Sequence, residues 1–225
     1  MIFHSDFTQN QGIIAEKIFK ITGVKYMGLG DRLNKMAGKT RFVVSRLFVH
    51  LVGEEVTPLL GVLNRAAIES LDAEGDLDVL GEQLVNVCEG LLQYDTYWRS
   101  AFNEGDVFWE EGEAGDYFNE LFTDSASRYN SNFNPDNLPP ADELLSLPPT
   151  GNLVVMLAIA FEGEDSNIET DLASMSAMRK ALKTIINLHH NGQLRGISMQ
   201  FSPAEFGDEL TDEQVLLNFS ELVPL

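Results

Sequence analysis

Apolar positions recur along the chain with two periods. From Phe42 to Val52, the residues Val43, Leu47, Val49 and Leu51 alternate with a mixed face of Arg46, Phe48 and His50, and β-branched residues are frequent. This pattern predicts a half-buried strand, with a helix as the rival reading. The period then lengthens. Val56, Leu59, Leu60, Leu63, Ala67 and Leu71 fall at helical spacing across Glu54 to Leu71, and Pro58 lies in the first turn, where its missing N–H costs nothing. After the acidic break Asp72 to Asp76, a stripe of Leu80, Leu84, Val87, Cys88, Leu91 and Leu92 predicts a second helix over Leu77 to Trp98, with Trp98 on it. Cys88 on that stripe reads as a small buried hydrophobe.

A third helix is expected from about Glu113, burying Phe118, Leu121, Phe122 and Tyr129 while Glu113, Asp116, Glu120 and Asp124 face elsewhere. Residues 130–150 hold five prolines and four asparagines, so residues 131–151 read as a linker between a region 41–130 and a region 152–225. Leu153 to Phe161 is apolar on both parities, as a strand covered on both faces must be. Thr170 to His190 repeats Leu172, Met175, Met178, Leu182, Ile185, Ile186 and His189 at helical spacing, and Arg195, Ile197, Met199 and Phe201 then alternate. Strand, helix and strand over this length suggest a crossover unit with its two strands parallel. Thr211 and Gln214 form a capping box ahead of Val215, Leu216 and Phe219, predicting a short closing helix. The fold class is α+β: a helical N-terminal part packed on a small sheet with a C-terminal β-α-β-α unit, in which 41–130 and 152–225 could form one fold.

Charge changes this picture in one respect. The 225 residues carry a net charge of −20, but Met1 to Arg46 holds eight bases against three acids. The acidic remainder repels phosphate backbones, which disfavours nucleic acid as a partner. Residues 1–40 form a basic segment with two readings. It could lie across the acidic body and lower its self-repulsion. Alternatively, Ile14 and Ile18 with Lys17 and Lys20 beside them form a stripe suited to peripheral contact with an anionic membrane. One cysteine excludes an internal disulfide and suits a reducing compartment, and the longest apolar run is too short to span a bilayer. No export leader is expected, so the expected location is cytoplasmic.

Motifs of known chemistry are incomplete. Gly38, Lys39 and Thr40 end like a phosphate-binding loop, but Leu33 stands where that loop needs glycine. Gly28 and Gly30 open a dinucleotide fingerprint whose third glycine is missing, and Gly196 to Gln200 lacks the last glycine of a nucleophile elbow. His189 and His190 diverge on a helix, and Glu113, Asp116 and Glu120 lack an accompanying Glu-x-x-His, so neither group forms a metal set. No catalytic residue, metal ligand or cofactor site is named. An enzymatic site built without a motif would draw on His50, Arg46 and Glu162.

Three stretches carry a resemblance: FVVSRLFVHLVGEEVTPLL from Phe42 to Leu60, LLQYDTYW from Leu91 to Trp98, and Leu153 to Leu225 with its MRKAL and DELTDEQVLLNFSEL segments. Together they resemble the uncharacterised domain-of-unknown-function family fifteen-seventeen of cyanobacteria and chloroplasts. Members include proteins linked to acclimation to fluctuating light. The resemblance therefore implies a non-enzymatic role near the thylakoid membrane and brings no catalytic residues with it.

The expected function is a protein-binding or regulatory module, with an enzyme or a structural assembly subunit as alternatives. Eleven aromatic residues and nine acids fall between Tyr94 and Phe133, and Tyr97, Trp98, Phe108 and Trp109 are the candidate anchors for a protein partner. Their other reading is core.

Overall fold

The computed structural model describes residues 39–73, 75–128, 151–204 and 208–225. The membrane-stripe residues Ile14, Lys17, Ile18 and Lys20, and nearly all of the expected linker, lie outside the described residues.

The chain opens with β1 (Phe42–Val52), α1 (Thr57–Asp72) and α2 (Leu77–Gln93). It continues through β2 (Trp98–Phe108), α3 (Glu111–Ser127), β3 (Asn152–Glu162) and α4 (Met175–His190). β4 (Leu194–Ser202), α5 (Asp212–Asn218) and the two-residue β5 (Val223–Pro224) close it. The strands form one five-stranded sheet in the order β4-β3-β1-β2-β5, every pair antiparallel. This is an α+β fold, and strands from both sides of residues 129–150 share the sheet.

Period-two alternation sorts the sheet side chains onto two covered faces. Val43, Leu47, Val49 and Leu51 of β1 and Leu153, Val155, Leu157, Ile159 and Phe161 of β3 join the main core beneath α1, α2 and α4. On the opposite face, Val44, Ala158 and Ala160 pack against Ala114, Phe118 and Leu121 of α3. Phe48, Val154 and Met156 pack there against Val215 of α5 and Phe219 just after it. β1 is therefore buried on both faces, not half-buried, because α3 and α5 cover the side that carries Arg46, Phe48 and His50.

Two expectations are corrected. The helix over Leu77 to Trp98 stops at Gln93. Tyr94 leaves helical geometry while its N–H caps the Gly90 and Leu91 carbonyls, and the chain then enters β2 at Trp98, so Trp98 stands on a strand. The strands flanking α4 are antiparallel rather than parallel. After β3, residues 163–174 run back along the sheet, fastened midway where Asn103 donates to the Thr170 carbonyl and accepts from Leu172 N–H, both at 2.9 Å. α4 then starts at the far end, where Arg179 meets Asp95, and returns the chain to the end where Glu162 N–H reaches the Gln193 carbonyl. A helix that returns to its starting end delivers an antiparallel strand. α4 begins at Met175 instead of Thr170, capped by Ser174. It ends in a Schellman motif: Gly192, at φ 63°, donates to His189 O, and Gln193 to Leu188 O. The capping box of Thr211 and Gln214 is present on α5.

Candidate functional site

Polar side chains on the α3/α5 face of the sheet are largely spent on one another. Arg46, 4% exposed on β1, would be costly to bury unpaired. Its Nε donates to Glu104 Oε1 at 2.9 Å across the β1–β2 ladder, and its Nη1 reaches the Leu121 carbonyl at 3.1 Å, Asp124 at 2.5 Å and Ser125 Oγ at 2.9 Å. The guanidinium also lies 4.8 Å from the centre of the Phe48 ring. Arg128 extends the network from α3 to the C-terminal segment, donating to Asp124, to the Asn218 carbonyl and to Glu221. Burial works against the charge on Asp124, but hydrogen bonds from Arg128 and Arg46 outweigh it and hold the carboxyl below its usual range.

A second network lies further along the same face. His50 joins Ser100 of β2 to Asn152 of β3, with 2.8 Å on each ring nitrogen. Asn152 Nδ2 donates to the Leu210 carbonyl at 2.8 Å and to Asp212 at 2.9 Å, so its Oδ1 is the acceptor facing the ring. His50 Nε2 must therefore carry the proton, and Nδ1 accepts from the Ser100 hydroxyl. Burial lowers the His50 pKa, with the Asn152 hydrogen bond and Asp212 working against that shift. Serine, histidine and asparagine in a row resemble a hydrolase constellation, but all three are buried and bind structural partners. They anchor the approach to α5.

The arginine and histidine of the motif-free enzymatic reading belong to these separate networks. Glu162 lies at the other end of the sheet, paired with Arg195. The three do not converge.

Among the described residues, backbone hydrogen-bonding capacity is left at both edges of the sheet, along the outer side of β4 and on β2 beyond Ala101. The β2 edge is the one with a cleft beside it. β5 pairs only with Ser100 and Ala101, and Leu225 N–H donates to the Arg99 carbonyl beside them. Antiparallel ladders alternate, so the N–H and C=O groups of Asn103, Gly105 and Val107 face the same outer side. Val107 N–H donates to its neighbour Asp106 Oδ1 at 3.1 Å, consistent with that direction. Among the described residues, β2 has no strand partner on this side beyond Ala101.

An open cleft of about 590 Å³ adjoins the edge, lined by Asn103 to Val107 on one side and Ile168 to Asp171 on the other. Four of its lining residues are acids: Glu104, Asp106, Glu169 and Asp171. Arg41 holds Glu169 in an ion pair while donating to the Gly163 carbonyl, which fixes the outer wall. Burial pushes the Asp106 carboxyl up. Burial together with Glu104, Asp106 and Glu120 pushes the nearby Tyr117 hydroxyl up to about 12, against the pull of Arg46.

The aromatic residues of this region lie mostly inward. Trp98 is 7% exposed in the main core, and Trp109 is 2% exposed against Phe42. Tyr97 and Phe108 are half-buried, Phe108 beside Tyr117 with ring centres 5.2 Å apart. The aromatic count pointed to this segment, but its exposed feature is backbone. The missed strand had little period-two signal because Glu104 and Asp106 occupy positions that face Arg46 and Val44. Elsewhere, Leu216 and Leu217 on α5 are each 74% exposed. Burial pushes the Cys88 thiol up, which leaves it an unreactive core group. Among the described residues, no group of three His, Cys, Asp or Glu is placed to hold a metal, and no helix is long and apolar enough to cross a membrane.

The family model described as a protein of unknown function (DUF1517) matches residues 41–225. The chain belongs to that family. The DUF1517 match begins at Arg41, next to the first residue of β1, and takes in every strand and helix described above. The Arg46–Arg128 network, the His50 network and the β2 edge therefore lie within the DUF1517 region. No curated protein and no solved structure matches the chain.

Proposed function

We propose that this DUF1517 domain is a non-enzymatic binding module with a regulatory role, which recognises a protein partner along the outer edge of β2. The open edge carries this reading. Unpaired backbone groups at a sheet edge are a template for a further strand, and folded proteins usually cover, shorten or charge such edges. Here β5 covers two residues, and among the described residues no strand covers the next stretch. The Arg46 and His50 networks are committed to holding the sheet together, and of the two sheet edges the one at β2 adjoins the acidic cleft, where an incoming chain would meet both main-chain groups and charge.

Val107→Pro tests the reading. Proline is tolerated on an edge whose N–H faces outward. It removes the N–H that Asp106 Oδ1 now accepts and some packing against Phe42 and Trp109, for which Val107→Ala is the control. Quantitative affinity capture from the native host should recover a partner with the unaltered chain and lose it with Val107→Pro, the thermal midpoints of the two remaining close. A partner retained by a stable variant would refute docking at this edge.

Association with the periphery of a photosynthetic membrane is a separate part of the proposal. Its support is the sequence stripe of Ile14 and Ile18 with Lys17 and Lys20 beside it. Co-sedimentation with anionic liposomes at low salt tests it, and failure of the full chain to bind would remove it.

A further inference from the structure

We infer that the strand taken up at the β2 edge is a basic one: an extended partner segment with lysine or arginine at alternate positions, pairing with Asn103, Gly105 and Val107. This inference rests on the binding reading above and adds the chemistry of the partner.

The ladder sets the length. β5 ends the available edge at Ala101, so an added strand has room for about five residues up to Val107.

Charge sets the composition. Alternation turns the side chains of an added strand to the two faces of the sheet in turn. On one face they meet Glu104 and Asp106, whose register partners are Arg46 and Val44. On the other they meet the wall that carries Glu169 and Asp171. Arg46 and Arg41 already neutralise Glu104 and Glu169, which leaves Asp106 and Asp171 as the cleft acids without an ion pair among the described residues. An acidic strand would add like charge to this site, and so would a second copy of the chain, which presents the same acids and carries −20 overall. A basic strand meets opposite charge on both faces.

The test uses the full chain and short synthetic peptides read by fluorescence anisotropy. A peptide alternating Lys and Val should bind, and one alternating Glu and Val should not. Methylating the amides on one edge of the Lys–Val peptide should weaken binding by about tenfold, because it removes the ladder and keeps the charge. Asp171→Lys should weaken Lys–Val binding several-fold, and raising the salt should do the same. The Gly105 amide should become protected from exchange in the complex. Equal binding of methylated and unmethylated peptides would show charge attraction without strand addition and would overturn the inference. Equal binding of the Glu–Val peptide would overturn the basic partner. A natural partner that is lost on Val107→Pro but docks through an acidic or neutral segment would overturn this inference while leaving the binding reading intact.

Discussion

Arg46 and Glu104 stand opposite each other in the β1–β2 register, with the Arg46 Nε donating to the Glu104 carboxylate at 2.9 Å. This pair places a buried cation beneath an edge strand and ties β2 into the sheet from below, so the outer side of β2 can stay open. Removing the cation leaves Glu104, Asp124 and the Leu121 carbonyl short of a donor. Arg46→Ala should cost about 2–4 kcal/mol in urea denaturation. Arg46→Lys should recover only part of that, since one ammonium cannot reproduce the fork.

His50 gives stability a pH dependence of known sign. Burial lowers its folded-state pKa below the ordinary value of 6.5, so the unfolded chain takes up the proton first as pH falls. Its contribution is fully present above about pH 6.5 and is lost as pH drops toward the folded-state pKa. Thermal midpoints should fall through this window, and His50→Gln should flatten that part of the profile. A profile unchanged by the substitution would show that His50 is not the group responsible.

Three close approaches at glycine should respond differently to alanine. A Cβ at Gly105 would meet the Val44 carbonyl oxygen at 2.7 Å and Ser45 Cα at 3.0 Å, both main-chain atoms of a central strand. At Gly81 it would fall 2.0 Å from His189 Nδ1, and at Gly90 2.8 Å from Leu59 Cδ1, both on side chains that can turn. Alanine also favours a helix over glycine by about 1 kcal/mol, which offsets the clash at Gly81 and Gly90 only. Gly105→Ala should therefore be the most destabilising of the three, by about 1–3 kcal/mol, as read from denaturant midpoints.

Trp109→Ala should report on packing. The side chain is 2% exposed against Phe42, so truncation should cost about 3–4 kcal/mol. Trp109 fluorescence should be shielded from iodide in the folded chain. A variant of unchanged stability would place the ring at a docking surface instead.

Most of the sheet was legible wherever burial was symmetric or a cap was complete. Leu153 to Phe161 reads as a covered strand because both faces meet helices, and Thr211 with Gln214 marks α5 because the reciprocal hydrogen bonds need those two residue types at that spacing. Two things were not legible. Nothing in the run from Met175 to His190 reveals which end of the sheet the helix starts from, which depends on Asn103 fastening residues 170–172 midway along the sheet. The proposed binding edge leaves no side-chain signature, because what it offers a partner is main-chain groups at Asn103, Gly105 and Val107, and the acids on the same strand read as an ordinary solvated surface.

Residue-resolved amide hydrogen exchange of the free chain tests the open edge most directly. The Phe102, Glu104 and Asp106 amides, directed toward β1, should be protected, and the Asn103 and Gly105 amides should exchange at rates near those of exposed backbone. Uniform protection from Phe102 to Asp106 would show that the edge is already occupied and would contradict the account.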